Sequence, residues 1–92
     1  MNRVGNMDNC LVVFISGNHA ILVKDELKKM KINAKVESTP CSIAKEGCSY
    51  CIKLPCDRLD KAVQIVKSCN VPIRNIYKIL IQNGKRKYSK IE

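Results

Sequence analysis

Two strand-like segments, Ala34 to Glu37 and Ser49 to Leu54, are joined by a loop that contains no helix. In the first, Ala34 and Val36 alternate with Lys35 and Glu37. In the second, Tyr50, Ile52 and Leu54 alternate with Cys51 and Lys53. That period of two belongs to strands with one face buried. Pro40 stops the first strand and Pro55 the second, because proline lacks the donor a ladder needs. Gly47, in the loop from Cys41 to Gly47, is free to take backbone angles other residues avoid. Consecutive parallel strands need a long crossover, usually a helix. These two strands have none, which argues against a parallel α/β sheet.

A strand–helix unit precedes this pair, and a helix–strand unit follows it. Cys10 to Ile15, CLVVFI, is a continuous apolar run suited to a central strand. Ser16-Gly17-Asn18 breaks it, and Ser16 or Asn18 can cap a helix from about His19 to Lys31. Ala20, Val23, Leu27 and Met30 form that helix's apolar face, and Asn33 can end it. Asp57 is a cap for a second helix, about Arg58 to Cys69, with Leu59, Ala62, Val63 and Val66 inward. Asn70 and Pro72 close it, and Ile73 to Ile81 supplies a fourth strand. Asn83-Gly84 is a tight-turn signal, after which KRKYSKIE either folds back as a short strand or frays. The order predicts an α+β fold: a ferredoxin-like βαββαβ sandwich, antiparallel sheet order 4-1-3-2, with both helices on one face. Residues 10–82 form the single domain, residues 1–9 a flexible tail and residues 83–92 a basic extension.

Composition narrows the function. The formal charge of +9 over 92 residues raises a nucleic-acid- or protein-binding module as one alternative. A sheet that binds RNA displays aromatics on its open face. Here that requires Phe14, Tyr50 or Tyr77 exposed together; Tyr50 reads as core, and only the basic charge supports this alternative. No Ser/His/Asp arrangement, paired-carboxylate site or phosphate-cradling glycine motif is visible, so the chain does not read as a stand-alone enzyme and implies no cofactor. The run Cys10 to Ile15 is too short for a secretion signal or a bilayer span. The expected location is therefore the cytoplasm, where thiols stay reduced.

Six cysteines are then the chemistry to place. In the predicted topology His19, the Cys41–Cys48 loop and Cys69-Asn70 share one end of the sheet. Cys10 and Cys56 lie at the other, and with Cys69 they read as packing thiols. The first helix's N-terminus, Asn18-His19-Ala20, faces the same end as the loop and favours a thiolate. Cys48 follows a glycine at the loop tip and is the candidate reactive thiol. Cys51, in the spacing Cys48-Ser49-Tyr50-Cys51, is a possible resolving thiol, with Cys41 and His19 as possible helpers. A metal site from Cys41, Cys48, Cys51 and Cys56 is a further alternative, although zinc sites favour paired CxxC knuckles and only one is present.

The apolar strand followed by Ser16 and His19-Ala20 belongs to a wider pattern. So do the proline-led loop carrying a cysteine ahead of a strand, and Ile76-Tyr77-Lys78. Together, over Leu11 to Lys78, they resemble the selenium/sulfur (Se/S) carrier protein-like family, small bacterial domains. The family's loop carries Pro-Arg, an aliphatic residue, then Cys-Gly. Pro40, Ile43 and Cys48 match the proline, the aliphatic residue and the cysteine, whereas Cys41 stands at the arginine position and Gly47 precedes the cysteine. The resemblance implies a carrier thiol at Cys48, holding sulfur or selenium as a persulfide or selenosulfide. It implies donor and acceptor proteins as partners.

Overall fold

The computed structural model describes residues 8–40 and 49–91. Cys41 and Cys48, and the N-terminal tail expected over residues 1–9 except its last two residues, lie outside them. Strand β1 (Asn9–Phe14) leads into helix α1 (Gly17–Lys29) and strand β2 (Lys35–Ser38). Strand β3 (Tyr50–Pro55), a single 3-10 turn (Cys56–Arg58) and helix α2 (Leu59–Ser68) follow. Strands β4 (Asn75–Gln82) and β5 (Lys85–Lys90) complete the chain. The fold is α+β, with a five-stranded antiparallel sheet in the order β2-β3-β1-β4-β5.

The fifth strand corrects the four-stranded 4-1-3-2 expectation. Asn83 and Gly84 both take positive φ, 53° and 77°, and pair Gln82 with Lys85. Two left-handed central residues make the primed turn whose twist matches the strands it joins. The basic segment therefore forms β5 against β4, part of the sheet rather than an extension.

Helix ends differ from expectation in instructive ways. Ser16 caps α1, its Oγ accepting from Asn18 N–H at 3.1 Å, so the helix starts two residues earlier than the pattern suggested. Lys31, not Asn33, ends it. Its φ of 62° lets Ile32 N–H reach the Leu27 carbonyl and Lys31 N–H the Lys28 carbonyl. Asn70, at φ 58°, closes α2 in the same way through Val71 N–H to Val66 O. Asp57 does not cap α2. It sits inside the 3-10 turn, and Arg58 occupies the cap position without a side-chain bond.

The strands place apolar groups on both faces. Val12, Phe14, Ile52 and Leu54 pack with Ala20, Val23 and Leu27 of α1 and Ala62 and Val66 of α2. Phe14 is completely buried in this layer, so of the three aromatics named it offers no stacking surface. The opposite face carries a second cluster, Leu11, Val13, Cys51 and Ile79, against which Tyr77 and Tyr88 pack. A sheet face without helices ordinarily stays wet. Here Leu11 and Cys51 have no exposed area. The sheet curls: Arg86 of edge strand β5 reaches Glu37 of the opposite edge strand β2, Nη1 to Oε1 3.8 Å. A flat sheet would hold these edges about 19 Å apart, four strand spacings.

Cys10 and Cys56 are not packing thiols. They form a disulfide, with Cα atoms 5.1 Å apart. The register explains it: β1 begins where β3 ends, with Asn9 opposite Pro55 and Cys10 opposite Leu54. The chain emerging from β3 thus brings Cys56 back over Cys10. Among the described residues no helix is long and apolar enough to cross a membrane.

Candidate functional site

The ends of β1 and β2 and the start of β3 stand in one line, with Phe14 and Ser38 both opposite Tyr50. Two features meet there. One is the N-terminus of α1. The other is the stem of the segment that carries Cys41 and Cys48.

The stem is closed by two bonds. Thr39 N–H donates to the Ser49 carbonyl at 3.0 Å, and Ser49 Oγ donates to Thr39 Oγ1 at 2.8 Å. Both residues are buried. The hydroxyls satisfy each other where water does not reach, which a buried polar pair requires. The positions of Cys41 and Cys48 themselves lie outside the described residues.

At α1 the first-turn N–H groups are already spoken for. Asn18 N–H binds Ser16 Oγ, while His19 and Ala20 N–H both reach the Ser16 carbonyl, at 3.1 and 3.3 Å. The expected thiolate-stabilising segment Asn18-His19-Ala20 thus forms the first turn of α1 with its N–H groups bonded to Ser16. Gly17 N–H is the first-turn donor with no described partner, and the dipole of the 13-residue helix adds to it. A hollow of about 380 Å³ opens at this point, lined by Ser16, Gly17, Asn18, Ile21, Val36 and Tyr50. Tyr50 is 43% exposed rather than core, and its ring lies over Gly17: a Cβ at Gly17 would come within 3.0 Å of Cδ2. Neither Gly17 nor Tyr50 was marked as functional by the sequence. Their contact depends on the pairing of β1 with β3, which no local pattern encodes.

His19 is half-buried on the first turn of α1. Its Nδ1 is enclosed and has no hydrogen-bond partner among the described residues. Such an atom is costly to leave unpaired.

Cys51, expected as a possible resolving thiol, is buried within β3. Its alternation puts it on the sheet face away from α1, where its thiol donates to the Glu37 carbonyl at 3.5 Å. Burial pushes the thiol up to about 11, with the Glu37 charge adding to the rise; Thr39 and Arg86 oppose it. At neutral pH only about one molecule in 10⁴ carries the thiolate there. Cys69 ends α2, half-buried against the helix-side core. Of the four sulfurs of the metal alternative, two are described: Cys56 is bonded to Cys10 and Cys51 is buried in the second core, while Cys41 and Cys48 lie outside the described residues.

A search of the curated proteins found no relative. The family model described as "Putative Se/S carrier protein-like" matches residues 9–78, from the first residue of β1 into the middle of β4. That span includes α1's N-terminus, the Thr39–Ser49 stem and the segment between them, and the chain belongs to this Se/S carrier protein-like family.

Proposed function

We propose that this chain is a non-catalytic carrier of sulfur or selenium, with Cys48 as its carrier thiol. The supporting observation is the shared position of the clasped stem and α1's N-terminus, at one end of the sheet. A thiol in the segment between Thr39 and Ser49 starts from that end. There Gly17 N–H and the helix dipole favour the anion, with His19 on the same first turn of the helix. The order of strands and helices supports reading the fold as a ferredoxin-like sandwich extended by β5.

In the transfer, the Cys48 thiolate attacks the outer sulfur of a donor protein's persulfide. An S–S bond forms at Cys48, the donor's S–S bond breaks, and the donor leaves as a thiolate. An acceptor thiolate then attacks the outer sulfur on Cys48 and releases the Cys48 thiolate. Selenium follows the same steps as a selenosulfide, and neither step needs an external oxidant or reductant. Donor and acceptor are proteins.

Mass spectrometry after brief exposure to a persulfide donor tests this. The expected result is one added sulfur on Cys48, appearing faster than on Cys69 and lost on adding an acceptor thiol. An unmodified Cys48, or one that reacts no faster than Cys69, overturns the proposal.

A further inference from the structure

Strand β5 forms one outer edge of the sheet, and its composition is one-sided. Its sequence KRKYSK places Lys85, Arg86, Lys87 and Lys90 within 6 residues and includes no acidic residue. It lies wholly outside residues 9–78, the span that the family model matches. Arg86 is engaged by Glu37 across the sheet. Among the described residues Lys85, Lys87 and Lys90 have no ion-pair partner.

The register fixes which backbone groups of β5 stay open. In an antiparallel ladder, hydrogen-bonded and non-bonded pairs alternate. Ile91 N–H donates to the Ile76 carbonyl at 2.7 Å. That pair continues the register in which Lys85 faces Gln82, Lys87 faces Leu80 and Ser89 faces Lys78. Lys85, Lys87 and Ser89 therefore turn their N–H and C=O groups toward β4. Arg86, Tyr88 and Lys90 turn theirs away from it, on a strand where every residue but Tyr88 is exposed. The side chains alternate as well. Arg86 and Lys90 lie on the sheet face of Tyr88, and Lys85 and Lys87 lie on the other. A strand laid along this edge meets cations on both of its faces.

The chemistry of the edge selects its occupant. A second copy of the chain is disfavoured. Antiparallel pairing about Tyr88 would set Arg86 opposite Lys90 of the copy, twice, and like charges directly opposite destabilise. A phosphate backbone accepts hydrogen bonds but has no donor for the outward carbonyls. An extended peptide supplies both donors and acceptors, and carboxylates on it complement the cations. Lysines on an edge strand keep like copies apart, and the same charges attract an acidic strand.

We propose that β5 is a docking edge for an extended, acidic segment of a partner protein, which adds to the sheet as a sixth strand. Backbone bonds to Arg86, Tyr88 and Lys90 set its register. Carboxylates beside Lys85, Lys87 and Lys90 provide selectivity. No thiol takes part, so the inference stands independently of the carrier reading.

Calorimetry and amide hydrogen exchange with a capped peptide, Thr-Glu-Glu-Val-Glu-Glu-Val-Thr, test it. The comparison probes are the same peptide with Lys in place of Glu and an oligothymidylate of matching charge. The acidic peptide is expected to bind saturably, more tightly than either, and less well as salt is added. Exchange at the amides of Arg86, Tyr88 and Lys90 should slow severalfold, while Lys87 and Ser89, already bonded to β4, change little. Lys87→Gln/Lys90→Gln, which removes one cation from each face, should weaken the peptide about fivefold. Lys61→Gln/Lys67→Gln on α2 should change it less than about twofold. Failure to saturate, no protection at the three outward amides, equal binding of either comparison probe, or equal weakening by the two double variants would each overturn the proposal.

Discussion

Arg86 Nη1 stands 3.8 Å from Glu37 Oε1, although the two residues belong to opposite edge strands of one sheet. Glu37 also holds Lys53 at 3.5 Å, so one carboxylate ties β2 to its neighbour β3 and to the far hairpin. The pair is a latch on the second core, since it draws β5 over Leu11, Val13 and Cys51.

Breaking that latch should change local opening more than global stability. The Arg86 side chain is 42% exposed, so Arg86→Ala is expected to cost less than about 1 kcal/mol in urea unfolding. Native-state hydrogen exchange of the β5 amides should accelerate severalfold while the amides of β1 do not change. Uniform acceleration across all strands would show that the pair is not a latch.

Cys51 gives the fold an alkaline weakness. Its pKa is raised from 9.0 to about 11 in the folded state, so the folded chain holds the proton where the unfolded chain has lost it. The stability this thiol contributes is complete below pH 9 and disappears as pH rises toward 11, by roughly 2 kcal/mol. Chemical denaturation of the wild type and Cys51→Ala across pH 8 to 11 measures it. The wild type should lose more stability than the variant over that interval.

The Cys10–Cys56 bond closes a long segment, 46 residues apart in sequence. Loop-closure entropy alone assigns such a cross-link about 4 kcal/mol. Unfolding midpoints with and without reductant should therefore differ substantially under oxidising preparation, and Cys56→Ala should match the reduced wild type. A wild type indifferent to reductant would show that the thiols do not pair in solution.

The comparison of sequence with structure divides along the range of the interactions. Alternation over Tyr50 to Leu54 and the helical spacing of Ala20, Val23 and Leu27 are local, and the corresponding elements are found. Asn70 announces its left-handed turn by residue type, whereas Lys31 does the same work with no such signal. The disulfide follows from cross-strand register, and register follows from the whole sheet. The latch joins residues far apart in the chain and had no local trace. At the candidate site the loop, Ser16 and His19 were readable, yet Gly17 beneath Tyr50 was not, because that contact crosses two strands. Reading Thr39 and Ser49 as a hydroxyl pair was within reach, since both flank the turn between strands that must be antiparallel.

That pair is sensitive to loss of one partner. Thr39→Val keeps the shape but leaves the buried Ser49 hydroxyl without its acceptor. The expected cost is about 1–3 kcal/mol in chemical denaturation, and the double variant Thr39→Val/Ser49→Ala should recover part of it. No recovery would mean that the two hydroxyls act independently.

The clasp also separates two kinds of evolutionary freedom. Because Thr39 and Ser49 settle their own polar groups at the base, the sheet beneath does not depend on how many residues lie between them. Lengthening a loop adds little closure entropy, about 0.6 kcal/mol per doubling. The segment carrying Cys41 and Cys48 can therefore gain or lose residues while the domain below keeps its register. The clasp makes this segment an interchangeable cassette, and Thr39 and Ser49 are the boundaries at which to graft another.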